Sequence, residues 1–178
     1  RDWSSDVCSS DLGALATLAT LTGTGNAYTI TVSDTSGTAA NLNTVDGATT
    51  VTVDASAVAS IAGSTSDFAT LIASREITLA ADFAATVSDS ATVAQVNAID
   101  AKTAGVITAT ISTGALATLI GLTGTGNAYT ITVSDTSGTA ADLNTVDGAT
   151  TVTVDASAVA SIAGSTSDFA TLIASREI

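Results

Sequence analysis

Residues 29–54 read Thr-Ile-Thr-Val-Ser-Asp-Thr-Ser-Gly-Thr-Ala-Ala-Asn-Leu-Asn-Thr-Val-Asp-Gly-Ala-Thr-Thr-Val-Thr-Val-Asp, and their reading decides the fold. Thr29–Ser33 and Thr50–Asp54 alternate polar and apolar side chains with β-branched residues, the chemistry of a half-buried strand. Between them Thr38 is an N-cap for a short helix over Ala39–Asp46, and Gly47 is placed to stop it. Strand, short helix, strand within 26 residues predicts a crossover that brings the two strands together in parallel.

Working outward, the same grammar recurs. Gly13–Ile77 returns as Gly114–Ile178, a shift of 101 residues with three differences in 65 positions: Ala19 to Ile120, Thr20 to Gly121 and Asn41 to Asp142. A weaker half-period of about 50 lies inside it. Thr-Val-Ser-Asp at 31–34 and 132–135 reappears as Thr86-Val87-Ser88-Asp89. Each copy is followed by an Asn-x-x-Asp block: Leu42-Asn43-Thr44-Val45-Asp46, Val96-Asn97-Ala98-Ile99-Asp100 and Leu143-Asn144-Thr145-Val146-Asp147. Further strands are expected at Glu76–Ala80, Thr108–Ser112, Thr130–Ser134 and Thr151–Asp155. Further helices are expected over Val93–Lys102 behind Thr92, around Phe68, Leu71 and Ile72 behind Ser64 or Ser66, and around Leu116, Leu119 and Ile120. The predicted architecture is an α/β repeat solenoid, elongated and leucine-rich-repeat-like, with a parallel sheet and short helices, because no single turn could bury its apolar face alone. The alternative is an all-β solenoid.

Residues 1–12 stand apart from this pattern. They hold the only Trp and the only Cys and match no other segment. The string resembles translated read-through of a sequencing-library adapter, and it lacks the basic start and apolar core of a signal peptide. The repeat region is therefore taken as 13–178. The final Arg176-Glu177-Ile178 repeats Arg75-Glu76-Ile77, where the earlier copy runs on into Thr78, so the sequence is expected to stop inside a repeat.

Residues 13–178 carry 14 acids against three bases (Arg75, Lys102, Arg176), a net charge of −11. That balance argues against nucleic acid as a partner, since phosphate contacts need Lys and Arg. Two uncharged stretches, 12–33 and 103–134, are interrupted by Gly, Thr, Ser and Asn, which argues against membrane insertion. With no His and no Cys beyond residue 12, there is no Cys/His metal set and no disulfide framework. The abundant Ser and Thr have no base to activate them. The carboxylates recur in step with the repeat, whereas a catalytic pair would break it. The chain is read as non-enzymatic, without an obligatory cofactor.

The Val-Ser-Asp, Leu-Asn-x-Val-Asp and Val-Thr-Val-Asp-Ala-Ser blocks resemble the tandem repeats of giant bacterial surface and secreted proteins, adhesin-like and type-I-secreted polypeptides among them. The resemblance covers 13–178. It implies a structural or adhesive role outside the cell or on its surface. It also implies neighbouring repeats of the same chain, surface glycans or other cell-surface proteins as partners. Many such proteins use calcium.

Two sets of residues are candidates for contact. Asp34, Asp54, Asp89, Asp135 and Asp155 are calcium candidates, although calcium needs six to eight converging oxygens and no EF-hand or Gly-rich nonapeptide loop is present. Asp34, Asp89 and Asp135 equally suit capping of free amides where a strand meets a helix. The second set is a Thr-x-Thr ladder: Thr29/Thr31, Thr50/Thr52, Thr108/Thr110, Thr130/Thr132 and Thr151/Thr153. Residues i and i+2 share a strand face, so stacked strands would give a hydroxyl grid roughly 7 Å by about 4.8 Å, suited to glycan or ice. Val51, Val53, Ile107, Ile111, Ile131 and Val133 are then expected to face the core.

Overall fold

The computed structural model describes residues 10–175 and 178, with the backbone alone at 10–12. In chain order the elements are β1 (Ser10–Gly13), α1 (Leu15–Leu18), β2 (Thr29–Val32), β3 (Ser36–Thr38), α2 (Ala39–Ala48), β4 (Val53–Ala55) and β5 (Ser60–Gly63). There follow α3 (Thr65–Ala73), β6 (Ile77–Leu79), β7 (Ala84–Ala91), α4 (Val93–Asp100), β8 (Ile107–Ile111) and α5 (Leu116–Leu119). The last are β9 (Ala128–Thr130), β10 (Ser137–Thr139), α6 (Ala140–Gly148), β11 (Ser161–Ala163) and α7 (Thr166–Ala174). The chain is α/β with parallel ladders, and the all-β alternative is ruled out by the seven helices. Among the described residues no sheet closes into a barrel.

Two compact units divide the chain, one of residues up to 86 with 102–105, the other of 87–101 with 106–178. In the first unit β1, β2, β4 and β6 lie side by side in that order. Their parallel register pairs Val53 with Ile77 and Ala55 with Leu79. A second parallel ladder pairs β3 with β5, and Ala84 N–H donates to the Ala59 carbonyl (2.9 Å). In the second unit β8 pairs with β9 and β10 with β11, again in parallel. The adapter-like segment falls mostly outside the described residues. Its last three residues, 10–12, form β1 with Gly13 and pair with β2. Such pairing uses main-chain groups alone, so it makes no demand on the side chains.

Every helix but α7 sends one apolar stripe inward. Leu42 and Val45 of α2, Val96 and Ile99 of α4, and Leu143 and Val146 of α6 are all buried. The strand side of the core is Ile30, Val32, Val53, Ile61, Ile107 and Ile111, joined by Ile131 and Val133, which follow β9 and flank the isolated bridge at Thr132. Burial of each such side chain contributes about 1.5–3 kcal/mol. Of the residues expected to face the core, Val51 is the exception and lies half-buried. Thr38, Ser64 and Thr92 cap α2, α3 and α4 as read from the sequence, Ser64 and Thr92 each within a reciprocal capping box.

Several boundaries need correction. Strand β4 starts at Val53, so Thr50 and Thr52 precede it, and no strand forms over 151–154. Thr132 lies beyond β9 and makes an isolated bridge to Asp155. Gly47 does not stop α2, which continues to Ala48, whose side chain is buried and holds the last turn. Asp89 lies inside β7 and not at its end.

Candidate functional site

The residues that recur in step along the chain form one hydrogen-bonding device. Each Asn-x-x-Asp block continues to a threonine three residues on: Asn43, Asp46, Thr49; Asn97, Asp100, Thr103; Asn144, Asp147, Thr150. The spacing puts Asn and Asp on one face of a helix, near its C-terminal half, and Thr just past its end.

The Asn side chains reach forward along the sequence. Asn43, Asn97 and Asn144 each donate through Nδ2 to a carbonyl 24 residues ahead, at Asp67 (3.0 Å), Gly121 (2.7 Å) and Asp168 (3.0 Å). The aspartates reach forward too. Asp46 and Asp147 accept from the Ser74 and Ser175 hydroxyls at 2.8 and 2.7 Å. Asp100 accepts from Asn127 Nδ2 (3.1 Å) and the Thr123 hydroxyl (3.4 Å). The loop that delivers those donors passes Asp100 at Gly124, whose φ of +89° suits glycine and where a Cβ would collide with the carboxylate.

The threonines reach back. Thr49, Thr103 and Thr150 donate to the carbonyls of Tyr28 (2.7 Å), Phe83 (2.5 Å) and Tyr129 (2.8 Å). Each hydroxyl also accepts from the amide two residues on, at Val51, Gly105 and Val152. These three threonines and Asn127 are the buried polar residues of the described chain. A buried hydroxyl with both functions satisfied stabilises by about 0.5–1.5 kcal/mol per bond, and leaving one unmade costs more. The Asn and Asp are visible in the repeat pattern of the sequence, whereas the Thr falls outside the quoted blocks. Its signal is the constant three-residue step behind each Asp.

The calcium candidates are distributed differently. Asp34 accepts from the amide of Leu15, and Asp135 accepts from that of Leu116 at 2.7 Å. They do cap helices, but the helix is the one 19 residues earlier, α1 or α5, whose own N-cap positions are Ala14 and Ala115. Asp54 accepts from the Ser56 hydroxyl (2.6 Å) and amide (3.0 Å), and Asp155 from the Ser157 amide (3.1 Å). Bonding to the serine hydroxyl first, and its amide second, holds both carboxyls below the usual carboxylate range. Asp89 is exposed on β7. Among the described residues no three acidic, His or Cys side chains gather as a metal-holding group. One carboxylate oxygen of Asp46, one of Asp147 and the amide oxygen of Asn144 are buried with no hydrogen-bond partner among the described residues.

The threonine ladder faces solvent as expected, with Thr31 half-buried and the other nine exposed. It does not form a continuous grid. Thr110 lies beside Thr130, but Thr108 lies beside Ala128. Thr31 and Thr78 flank Asp54, and Thr132 sits against Asp155. Thr50 and Thr151 turn their hydroxyls to the carbonyls of Asn26 and Asn127, both at 3.2 Å.

No helix among the described residues is long and apolar enough to cross a membrane. Comparison with protein-family models, with curated proteins and with solved structures finds no match.

Proposed function

We propose that this chain is a structural repeat segment of a large bacterial surface or secreted protein, a solenoid of stacked strand–helix turns that spans distance and performs no catalysis. The observation that supports this reading is the threefold recurrence of the Asn-x-x-Asp-x-x-Thr clamp. Its Asn reaches 24 residues forward each time, and its Thr reaches 20 or 21 residues back. A polar group serving chemistry would be needed once. A group that returns with every second helix, at α2, α4 and α6, serves to hold turns together. The acidic, nearly cysteine-free composition and the resemblance to surface repeats support a location outside the cell. The same resemblance, with the exposed threonines, supports surface glycans or other cell-surface proteins as partners.

Stretching the chain between its ends tests the reading. In a stacked array each turn contacts its neighbours, so unfolding is expected in successive steps, each releasing about 25 residues or roughly 85 Å of extended chain. Thr103→Val should lower the force of one step and leave the others. A single all-or-none event, insensitive to Thr103→Val, would overturn the stacked-array reading.

A further inference from the structure

Residues 42–77 and 143–178 are identical in sequence, so the chain contains one surface in two settings. In the first setting Val58, Ile61, Phe68 and Leu71 are at most 1% exposed. In the second, Ile162 is 37% exposed, Ile173 is 81% exposed, and Val159, Phe169 and Leu172 are only half-buried. The second copy opens a cavity of about 550 Å³ lined by Val154, Val159, Ile162, Leu172 and Ile178. Since the sequences are the same, the difference lies in what covers them.

In the first setting the cover is identified. Strand β6 lies on β4, with Val53 N–H donating to the Glu76 carbonyl at 2.7 Å and Ala55 paired with Leu79. The chain then crosses to β7, where Ala84 N–H donates to the Ala59 carbonyl. Phe83 and Ala85 close the apolar layer at 0 and 1% exposure. Residues 77–85 therefore carry both the strand that pairs with β4 and the buried apolar side chains that accompany it.

We infer that the open face formed by residues 151–175 is an acceptor for a strand-bearing segment of the Ile77–Ala85 type, docked in parallel. Its occupant is specified by sequence and not by hydrophobicity alone. The backbone of Ala156 and the carbonyl of Ala160 stand where, in the inner copy, Ala55 pairs with Leu79 and Ala59 accepts from Ala84. An incoming strand that matches those two points brings a Phe83-like ring with it, a side chain fully buried in the inner copy. The inference rests on the stacked-array reading and deepens it by naming what the face accepts.

The test appends residues 78–105 of this chain after Ile178 and compares the product with one carrying the same residues scrambled. The native extension should raise the melting midpoint by about 5–10 °C and abolish fluorescence of an apolar dye bound at the exposed end. The scrambled extension should do neither. Ile162→Asp should lower the unextended chain's midpoint by a few degrees at most, because that side chain is already 37% exposed there, and should remove the gain from the extension. Equal effects of native and scrambled extensions, or no effect of either, overturn the inference. So does an unextended chain that sediments as a dimer and binds no dye, since a second copy would then fill the face. Stepwise unfolding under load is measured on the unextended chain, so it survives or fails independently.

Discussion

Tyr28 and Tyr129 occupy the same place in the repeat, and only Tyr129 is fully buried. Its hydroxyl meets no hydrogen-bond partner among the described residues. Burial first, and the negative charge of Asp100 second, push its ionisation above the ordinary value of 10.0. The folded state thus binds the phenolic proton more tightly than the unfolded chain does. Its contribution is fully present below the ordinary value and is lost as pH rises through that value toward the folded one. An unpartnered buried hydroxyl costs about 1–3 kcal/mol, while the ring itself fills the core. Tyr129→Phe is therefore expected to raise stability by about 1 kcal/mol at neutral pH and to blunt the loss of stability above about pH 10. Denaturant unfolding of both proteins at neutral and alkaline pH measures this. A destabilised Phe variant would mean that the hydroxyl is bonded after all. The same position shows what a sequence conceals. Tyr28 and Tyr129 sit in identical local sequence, and burial of one but not the other depends on which residues stack against each.

At the scale of elements, local signals were legible and distant ones were not. Ser64 with Asp67 and Thr92 with Gln95 are capping boxes that lie within four residues, so the starts of α3 and α4 could be read directly. Helices α1 and α5 have four residues each, far below the length at which a helix stands alone, and no side-chain cap of their own. Their caps come from Asp34 and Asp135, 19 residues downstream, which only stacking brings within reach. The Thr50–Asp54 alternation was read as a strand because it satisfies the two-residue period. Thr49 defeats it: its hydroxyl accepts the Val51 amide and donates to Tyr28, which fixes a bend just where the strand was expected to begin. Parallel pairing and the inward faces of β2 and β8 followed from pattern alone, since apolar alternation leaves one face to bury. Ile61, Phe83, Ala85 and Val87, by contrast, are buried in or beside β5 and β7, where no alternation of β-branched residues announces a strand. The dependence on distant caps is testable. Asp135→Ala should cost about 1 kcal/mol and raise amide exchange in α5, whereas Asp135→Asn should retain most of the cap through its amide oxygen. Equal loss in both variants would show that the charge matters more than the hydrogen bond. No loss in either would remove the cap from the account.

Across the whole molecule the charge is one-sided. The chain carries a formal net charge of −13, and no described helix has a basic residue in its last turn. Arg75 and Lys102 are exposed. The carboxylates are held instead by neutral donors: main-chain amides at Asp34 and Asp135, Ser56 at Asp54, Ser157 at Asp155, Ser74 at Asp46. Neutral donors orient a carboxylate without cancelling its charge, so repulsion among the acids remains and acts against the compact state. Ions in solution should relieve it, because exposed charges are screened over about 10 Å at 0.1 M salt. The melting midpoint is therefore expected to rise with sodium chloride. Calcium is the discriminating ion. At Asp34 and Asp135 the amides of α1 and α5 take one carboxylate oxygen, and at Asp54 and Asp155 a serine takes one, so each aspartate by itself falls far short of the six to eight oxygens calcium needs. Calcium and magnesium at matched ionic strength should therefore shift the midpoint alike. An additional, saturating shift with calcium alone would mean that these aspartates exchange their caps for a bound ion. A midpoint indifferent to every salt would mean that the acids lie too far apart to repel, and cations would then have no part in the stability of the chain.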